Sequence, residues 1–373
     1  MGVLGGSTTS QISPLSRGTR PQLSESACYA VYYIALREQG LRRFRNESLQ
    51  QSPAPRLLHS TRVLPCRECR FDGDLLRGSR LSGQRRHVWG SPPLAWDEPR
   101  APADFGLRSE TVAFDSTDGI PLKAWWLPAS GTPRGVVIIA HGIDHTRQVM
   151  LPRAVFLVRG GYDVLAIDLR GHGESGGSIT SPGLLEARDI LGALRFIRSR
   201  GNQEPVALLG VSYGAVASLI AAAESPEIAA VISDSAFPTG KDVSEDINRH
   251  YLHDPRTNFW VRPLFLVSST PGAVRATALT YYLRRGIYLG PELLSVLPSA
   301  SRIKVPVLVI SGGLDWIVPT DKARRILSVI PGNQKQFLII ANAAHDTAYS
   351  TAPMLYASTV LNFLETSIKN TSR

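Results

Sequence analysis

The chain has 373 residues, of which 43% are hydrophobic and 19% charged, so it can bury one large core or two ordinary ones and is not a wholly disordered protein. Its apolar runs are strand-sized, and none approaches the roughly 18 residues that a membrane-spanning helix needs. The net charge of +10 does not indicate nucleic-acid binding, because residues 1–100 carry 15 Arg against 8 acidic residues (+7) and the remaining 273 residues carry only +3.

Residues 1–105 are rich in Ser, Gly, Pro and Arg and show little periodicity, which predicts a poorly ordered extension. Its opening also has the composition of a transit peptide, which is the alternative. The only cysteines, Cys28, Cys66 and Cys69, lie here, and one Cys-x-x-Cys without a second ligand pair does not indicate a metal. No secretory signal is seen, and we expect a cytoplasmic protein.

From residue 106 the pattern becomes alternating strands and helices. The two opening strands, around Asp118-Gly119, are expected to form an antiparallel pair, and the later strands are short apolar runs typical of parallel strands buried on both faces. This alternation predicts an α/β protein, a mainly parallel sheet with helices on both faces, in a domain spanning 106–373. The predicted strands are 111–116, 122–128, 135–140, 163–167, 206–210, 229–233, 305–311 and 337–341, and the predicted helices are 151–159, 184–200, 213–224, 321–330 and 356–367.

The most specific motif is Gly210-Val211-Ser212-Tyr213-Gly214, between an apolar strand and an Ala-rich helix. In this context a Gly-x-Ser-x-Gly predicts a nucleophile elbow, in which two glycines permit a sharp turn that exposes the serine hydroxyl. The alternative is an ordinary turn in which Ser212 caps the helix.

A nucleophilic serine needs a base, and the base needs an orienting carboxylate. Asp315 follows the strand predicted at 305–311, and His345 follows the one at 337–341. We therefore predict a catalytic triad of Ser212, His345 and Asp315. Asp346 is the competing carboxylate, but adjacent residues seldom align a carboxylate with the neighbouring Nδ1–H, so we place it outside the acid–base relay.

The oxyanion hole is expected after the strand predicted at 135–140, where the sequence reads His141-Gly142-Ile143. The backbone N–H groups of Ile143 and Tyr213 are the predicted donors. His141 is expected to be structural, because His345 fills the role of base better.

Together these motifs, with the segment Asp168-Leu169-Arg170-Gly171-His172-Gly173-Glu174-Ser175, make residues 111–366 resemble an α/β-hydrolase of the serine-esterase or serine-aminopeptidase type. The order serine, aspartate, histidine is that of the family. The resemblance implies that Asp168, Arg170 and His172 stabilise their loop and are not catalytic. Residues 1–105 match none of the family's patterns.

About seventy residues separate the strands predicted at 229–233 and 305–311, which is where the family inserts a cap, and we expect a helical cap at about 238–300. Seven of the 53 residues from 238 to 290 are aromatic, and they either roof an apolar pocket or pack the cap onto the sheet. Contact of residues 259–267 with a membrane surface is a weaker alternative.

The sequence thus predicts a serine hydrolase that cleaves carboxylic esters, thioesters or small amides through an acyl-enzyme, with a small-molecule substrate, no cofactor and no nucleic-acid partner. A serine aminopeptidase-like peptidase is one alternative, and a non-catalytic ligand-binding protein of the same fold is another. The oligomeric state is left open.

Overall fold

The computed structural model describes residues 101–255, 259 and 295–371. The predictions made for residues 1–100, including the extension and the three cysteines, lie outside the described residues. So do the predicted cap aromatics between residues 260 and 294, whereas Phe259 is described and exposed.

Eight strands form one sheet in the order β1-β2-β4-β3-β5-β6-β7-β8. The pairs β1–β2 and β2–β4 are antiparallel and all the others are parallel, which confirms the predicted antiparallel entry pair and the mainly parallel sheet. The strands are β1 (Glu110–Asp115), β2 (Pro121–Leu127), β3 (Val136–Ala140), β4 (Asp163–Ile167), β5 (Val206–Val211), β6 (Ile228–Asp234), β7 (Val307–Gly312) and β8 (Lys335–Ile340).

Helices cover the sheet on both sides, as predicted. The described helices are α1 (Leu151–Arg159), α2 (Glu186–Ser199), α3 (Tyr213–Glu224), α4 (Gly240–His253), α5 (Leu297–Ala300), α6 (Thr320–Val329), α7 (Ala348–Thr351) and α8 (Pro353–Thr371), with 3₁₀ turns at Pro102–Phe105 and Arg147–Met150. Residues of α2, α3 and α6 share one apolar core with Ile138 of β3. Residues of α1 and α8 share the other core with Ile139, because successive strand residues point to opposite faces.

The predicted helices differ from the observed ones mainly at their ends, and α4 and the four-residue helices α5 and α7 were not predicted. The last helix begins at Pro353, three residues before the prediction, because proline is tolerated in a first helical turn. Helix α4 was not predicted as a separate element, since its sequence is mostly polar and buries only Asp242 and Asp246. Its start is fixed by Thr239, whose side chain accepts a hydrogen bond from the backbone N–H of Asp242 at 3.0 Å.

Parallel strands bring their carboxyl ends to one edge of the sheet, and ligands of open α/β sheets bind there. The loops that follow β3, β5, β7 and β8 carry, in turn, Gly142, Ser212, Asp315 and His345. None of the described helices is long and apolar enough to cross a membrane.

Candidate active site

Ser212 lies in a sharp turn between β5 and α3, at φ 51° and ψ −108°, a conformation that residues with a side chain rarely adopt. The turn is possible because Gly214 packs against the main chain at Ala140 and Gly210 against the main chain at Gly214, where no Cβ would fit. The Ser212 hydroxyl makes no capping bond to α3. The structure therefore contradicts the alternative in which Ser212 serves only as a helix cap.

The hydroxyl meets an imidazole. Ser212 Oγ lies 2.9 Å from Nε2 of His345, and Nδ1 of the same ring lies 2.8 Å from Oδ2 of Asp315. Asp315 is buried, and its other oxygen, Oδ1, accepts from the backbone N–H groups of Ile317 at 3.0 Å and Val318 at 2.8 Å. The carboxylate is thus held by its own loop while it faces the imidazole. The three side chains that the sequence singled out form one hydrogen-bonded chain.

Asp346 occupies a place that the sequence reasoning did not foresee. It does not compete with Asp315 for Nδ1; its Oδ1 lies 3.3 Å from Nε2, the nitrogen that also faces Ser212. Its main chain has a φ of 61°, in the left-handed region. Burial of the imidazole disfavours its charge, but Asp346 and Asp315 outweigh that effect and raise the pKa of His345 to about 9.

A buried ion pair supports both the serine turn and the histidine loop. The backbone N–H of Ser212 donates to the carbonyl of Asp234 at 2.7 Å, and the Asp234 carboxylate accepts from Arg153 at 3.3 Å. The same guanidinium donates to the carbonyl of Asp346 at 3.2 Å. The hydroxyl of Tyr356 adds a third bond, to Asp234, at 3.0 Å.

Sequence reasoning did not identify these supporting residues. Asp234 ends β6 at the active edge, which is a usable signal, because the other site residues also follow strand ends. Arg153 and Tyr356 are single polar residues within helices, and nothing in their local sequence distinguishes them from surface residues.

The predicted oxyanion loop packs against the serine. A Cβ placed on Gly142 would stand 3.6 Å from Cβ of Ser212. Within the described residues, the backbone N–H groups of Ile143 and Tyr213 donate to no protein acceptor. Two N–H groups without a protein partner, one at a helix start, suit a developing negative charge.

Two histidines, His141 and His172, hold this loop in place through hydrogen bonds. Nε2 of His141 accepts from the N–H of Leu169 at 3.1 Å, and its Nδ1 lies 2.7 Å from the carbonyl of Gly142. Burial of the ring keeps the pKa of His141 well below its ordinary value, so the ring is neutral and both nitrogens serve the loop. Nε2 of His172 accepts from the N–H of Asp144 at 3.2 Å, where φ is 58°.

Several ion pairs stabilise the segment that follows β4, residues 168–175. Asp168 pairs with Arg147 at 2.6 Å, and Arg147 also contacts Glu174. Arg170 pairs with Asp118 at 2.6 Å and Asp189 at 2.7 Å. These contacts are those of loop-stabilising residues, as the sequence led us to expect.

An open pocket of about 620 Å³ lies beside the loop that carries Asp315. Its described lining includes Trp316 and Pro319 from that loop and Asp246, Arg249 and His250 from α4. The rings of His250 and Trp316 stack with centroids 3.9 Å apart. This gives the pocket one flat, largely apolar wall.

Comparison with known proteins agrees with this architecture. Residues 131–280 match the family model described as serine aminopeptidase, S33. The uncharacterised protein YfhR of Escherichia coli O157:H7 is 25% identical over 265 residues, which span 69% of this chain and 80% of YfhR.

Two solved structures share the fold. The Pyrococcus furiosus esterase Pf2001 superposes with a TM-score of 0.58 at 22% identity, over 72% of this chain and 97% of the esterase. The acylaminoacyl peptidase of Pyrococcus horikoshii superposes with a TM-score of 0.50 at 19% identity, over 70% of this chain and 42% of the peptidase.

Proposed function

We propose that this chain, which has the α/β-hydrolase fold, is a serine hydrolase that cleaves carboxylic esters through an acyl-enzyme. The observation that carries the proposal is the hydrogen-bonded chain from Ser212 Oγ through His345 to Asp315, with contacts of 2.9 and 2.8 Å. A serine whose hydroxyl neither caps its helix nor faces solvent, and instead meets an imidazole paired with a carboxylate, is arranged for nucleophilic attack.

In the proposed reaction, Ser212 Oγ attacks the ester carbonyl while Nε2 of His345 takes the hydroxyl proton. Asp315 holds the other ring proton on Nδ1 and stabilises the imidazolium. The N–H groups of Ile143 and Tyr213 are the proposed donors to the oxyanion. Expulsion of the alcohol, which receives the proton from Nε2, leaves an acyl group on Ser212. Water, deprotonated by His345, then releases the acid and restores the serine.

One feature supports a small ester with an apolar part. The pocket wall of Trp316 and His250 lies next to the loop of Asp315. Flat aromatic walls favour apolar acyl or alcohol groups. Thioesters and small amides undergo the same acyl transfer and belong to the same proposal.

A peptidase is the second candidate, because residues 131–280 match a family model described as serine aminopeptidase. Its chemistry at Ser212 is the same, and only the leaving group differs. A ligand-binding protein without catalysis is disfavoured by the aligned serine, histidine and aspartate, which binding alone does not require.

We would test the proposal with p-nitrophenyl esters of increasing acyl length beside aminoacyl p-nitroanilides. We expect ester hydrolysis that Ser212→Ala abolishes and that Ser199→Ala, an exposed serine at the end of α2, leaves unchanged. Preferential cleavage of the anilides would establish the peptidase. Turnover of neither class by a folded protein would contradict the proposed function.

A further inference from the structure

His345 lies between two carboxylates, one at each ring nitrogen. Oδ2 of Asp315 is 2.8 Å from Nδ1, and Oδ1 of Asp346 is 3.3 Å from Nε2. A neutral imidazole carries one proton, so it can donate to only one of them. An imidazolium carries a proton on each ring nitrogen, so its positive charge faces a carboxylate on both sides, although Asp346 Oδ1 makes no hydrogen bond with Nε2. The geometry is therefore matched to the charged ring.

One oxygen of the Asp346 carboxylate is left unsatisfied within the described part of the chain. Its Oδ1 is buried and has no hydrogen-bond partner among the described residues. A buried carboxylate oxygen without a donor is costly, and the positive charge of a doubly protonated imidazole 3.3 Å away offsets part of that cost. The left-handed φ of 61° adds a further cost and is maintained by the bond from Arg153 to the Asp346 carbonyl.

We propose that Asp346 is a positioning residue that keeps His345 doubly protonated in the resting enzyme, so that hydrolysis begins only when alkaline solution removes that proton. The inference rests on the proposed function. While Nε2 carries a proton, it cannot accept one from Ser212. When that proton passes to solvent, Nε2 becomes the acceptor and Ser212 becomes a nucleophile.

The other charged groups near the ring do not reverse this balance. Asp234, at the end of β6, adds to the effect of the two carboxylates, whereas burial of the ring opposes it. The guanidinium of Arg153 is paired with Asp234 at 3.3 Å. His145, in the loop after β3, is the other titratable group near Gly142, which faces Oδ2 of Asp346. Together these influences leave the pKa of His345 at about 9, above its ordinary value of 6.5.

Removing the charge of Asp346 should change the pH dependence rather than the chemistry. Asp346→Asn keeps the size of the side chain, and asparagine tolerates a left-handed main chain. Because Asp315 still orients the ring, we expect the limiting kcat at alkaline pH to stay within about tenfold of the parent. Loss of one adjacent carboxylate should lower the pKa of His345 by about one unit or more.

The experiment measures kcat/KM of ester hydrolysis from about pH 5 to about pH 10.5 for the full-length parent, Asp346→Asn and a control, Asp321→Asn. Asp321 is a surface aspartate whose side chain is 73% exposed. The parent should gain activity with a midpoint near pH 9, where His345 loses its proton. Asp346→Asn should have its midpoint about one unit lower and be about tenfold more active near pH 7. Asp321→Asn should follow the parent.

A second measurement separates this inference from the proposed function. The imidazole of His345 is titrated by NMR in the Ser212→Ala protein, with its resonance identified by its loss in His345→Gln. We expect a midpoint near 9 that falls when Asp346→Asn is added. Coincident titrations with and without Asp346→Asn would overturn the inference, whether or not the protein hydrolyses esters. Titration as expected without turnover of any ester would instead overturn the proposed function alone.

Discussion

Two polar clusters of this fold use their charges in opposite ways. In the Arg170 cluster, formed by Asp118, Arg170, Arg188 and Asp189, each carboxylate faces a guanidinium, at 2.6 to 3.0 Å. In the reactive cluster, formed by Ser212, Asp315, His345 and Asp346, two carboxylates face one imidazole and one hydroxyl.

The two clusters differ in whether their groups can change protonation state. Guanidinium groups keep their proton at any ordinary pH, so the Arg170 cluster has a single charge state and acts as a fixed support for its loop. An imidazole gains and loses its proton in an accessible range, and a hydroxyl can give one up to it. The aspartates of these two clusters are therefore structural where they meet arginine, and they are candidates for catalysis where they meet histidine.

Among substitutions in the two clusters, the largest effect on kcat is expected at Asp315. Asp315→Asn preserves an oxygen for the N–H groups of Ile317 and Val318 but presents an amide to Nδ1, which favours the wrong tautomer of His345. We expect kcat at the alkaline plateau to fall on the order of 10⁴-fold, as in other triads.

The comparison variant is Asp346→Asn, measured on the same plateau, where a change of less than about tenfold is expected. A reversed order of severity in two folded proteins would mean that the orienting carboxylate is Asp346.

In the Arg170 cluster the expected effect is on stability. Arg170→Gln leaves the carboxylate of Asp189 buried without its guanidinium, which should lower the free energy of unfolding by about 3–5 kcal/mol. Arg188→Gln removes a neighbouring bond to the same Asp118, but the Arg188 side chain is 50% exposed, and a loss below about 1 kcal/mol is expected.

Urea denaturation of the two variants measures this difference, and kcat per folded molecule should be the same in both. A large fall in kcat for a stable Arg170→Gln protein would mean that the Arg170 cluster takes part in the reaction.

The sequence was sufficient for the sheet because each buried strand is a short β-branched or aliphatic run between turn residues. All eight strands lie where predicted, to within one or two residues at each end. Ser212, Asp315 and His345 could be found because each follows directly on a strand whose carboxyl end lies at the same edge.

The contacts that support the site could not be predicted from the sequence, because they depend on the tertiary arrangement. The contact of Asp346 with Nε2 occurs at a residue with a left-handed main chain whose carbonyl accepts from Arg153, and those two residues are 193 positions apart. Likewise, the pairing of Arg153 with Asp234 joins α1 to the end of β6, and no local pattern indicates it.

The central claim, that Ser212 is the nucleophile, is tested most directly by reaction with a fluorophosphonate at alkaline pH, followed by peptide mass spectrometry. We predict a single phosphonylated serine, Ser212, in the parent and in Ser199→Ala, and no adduct in Ser212→Ala. The hydroxyl is 2.9 Å from the base that would activate it, and no other serine should react comparably. An adduct that persists in Ser212→Ala, or a folded parent that is never labelled, would contradict the account.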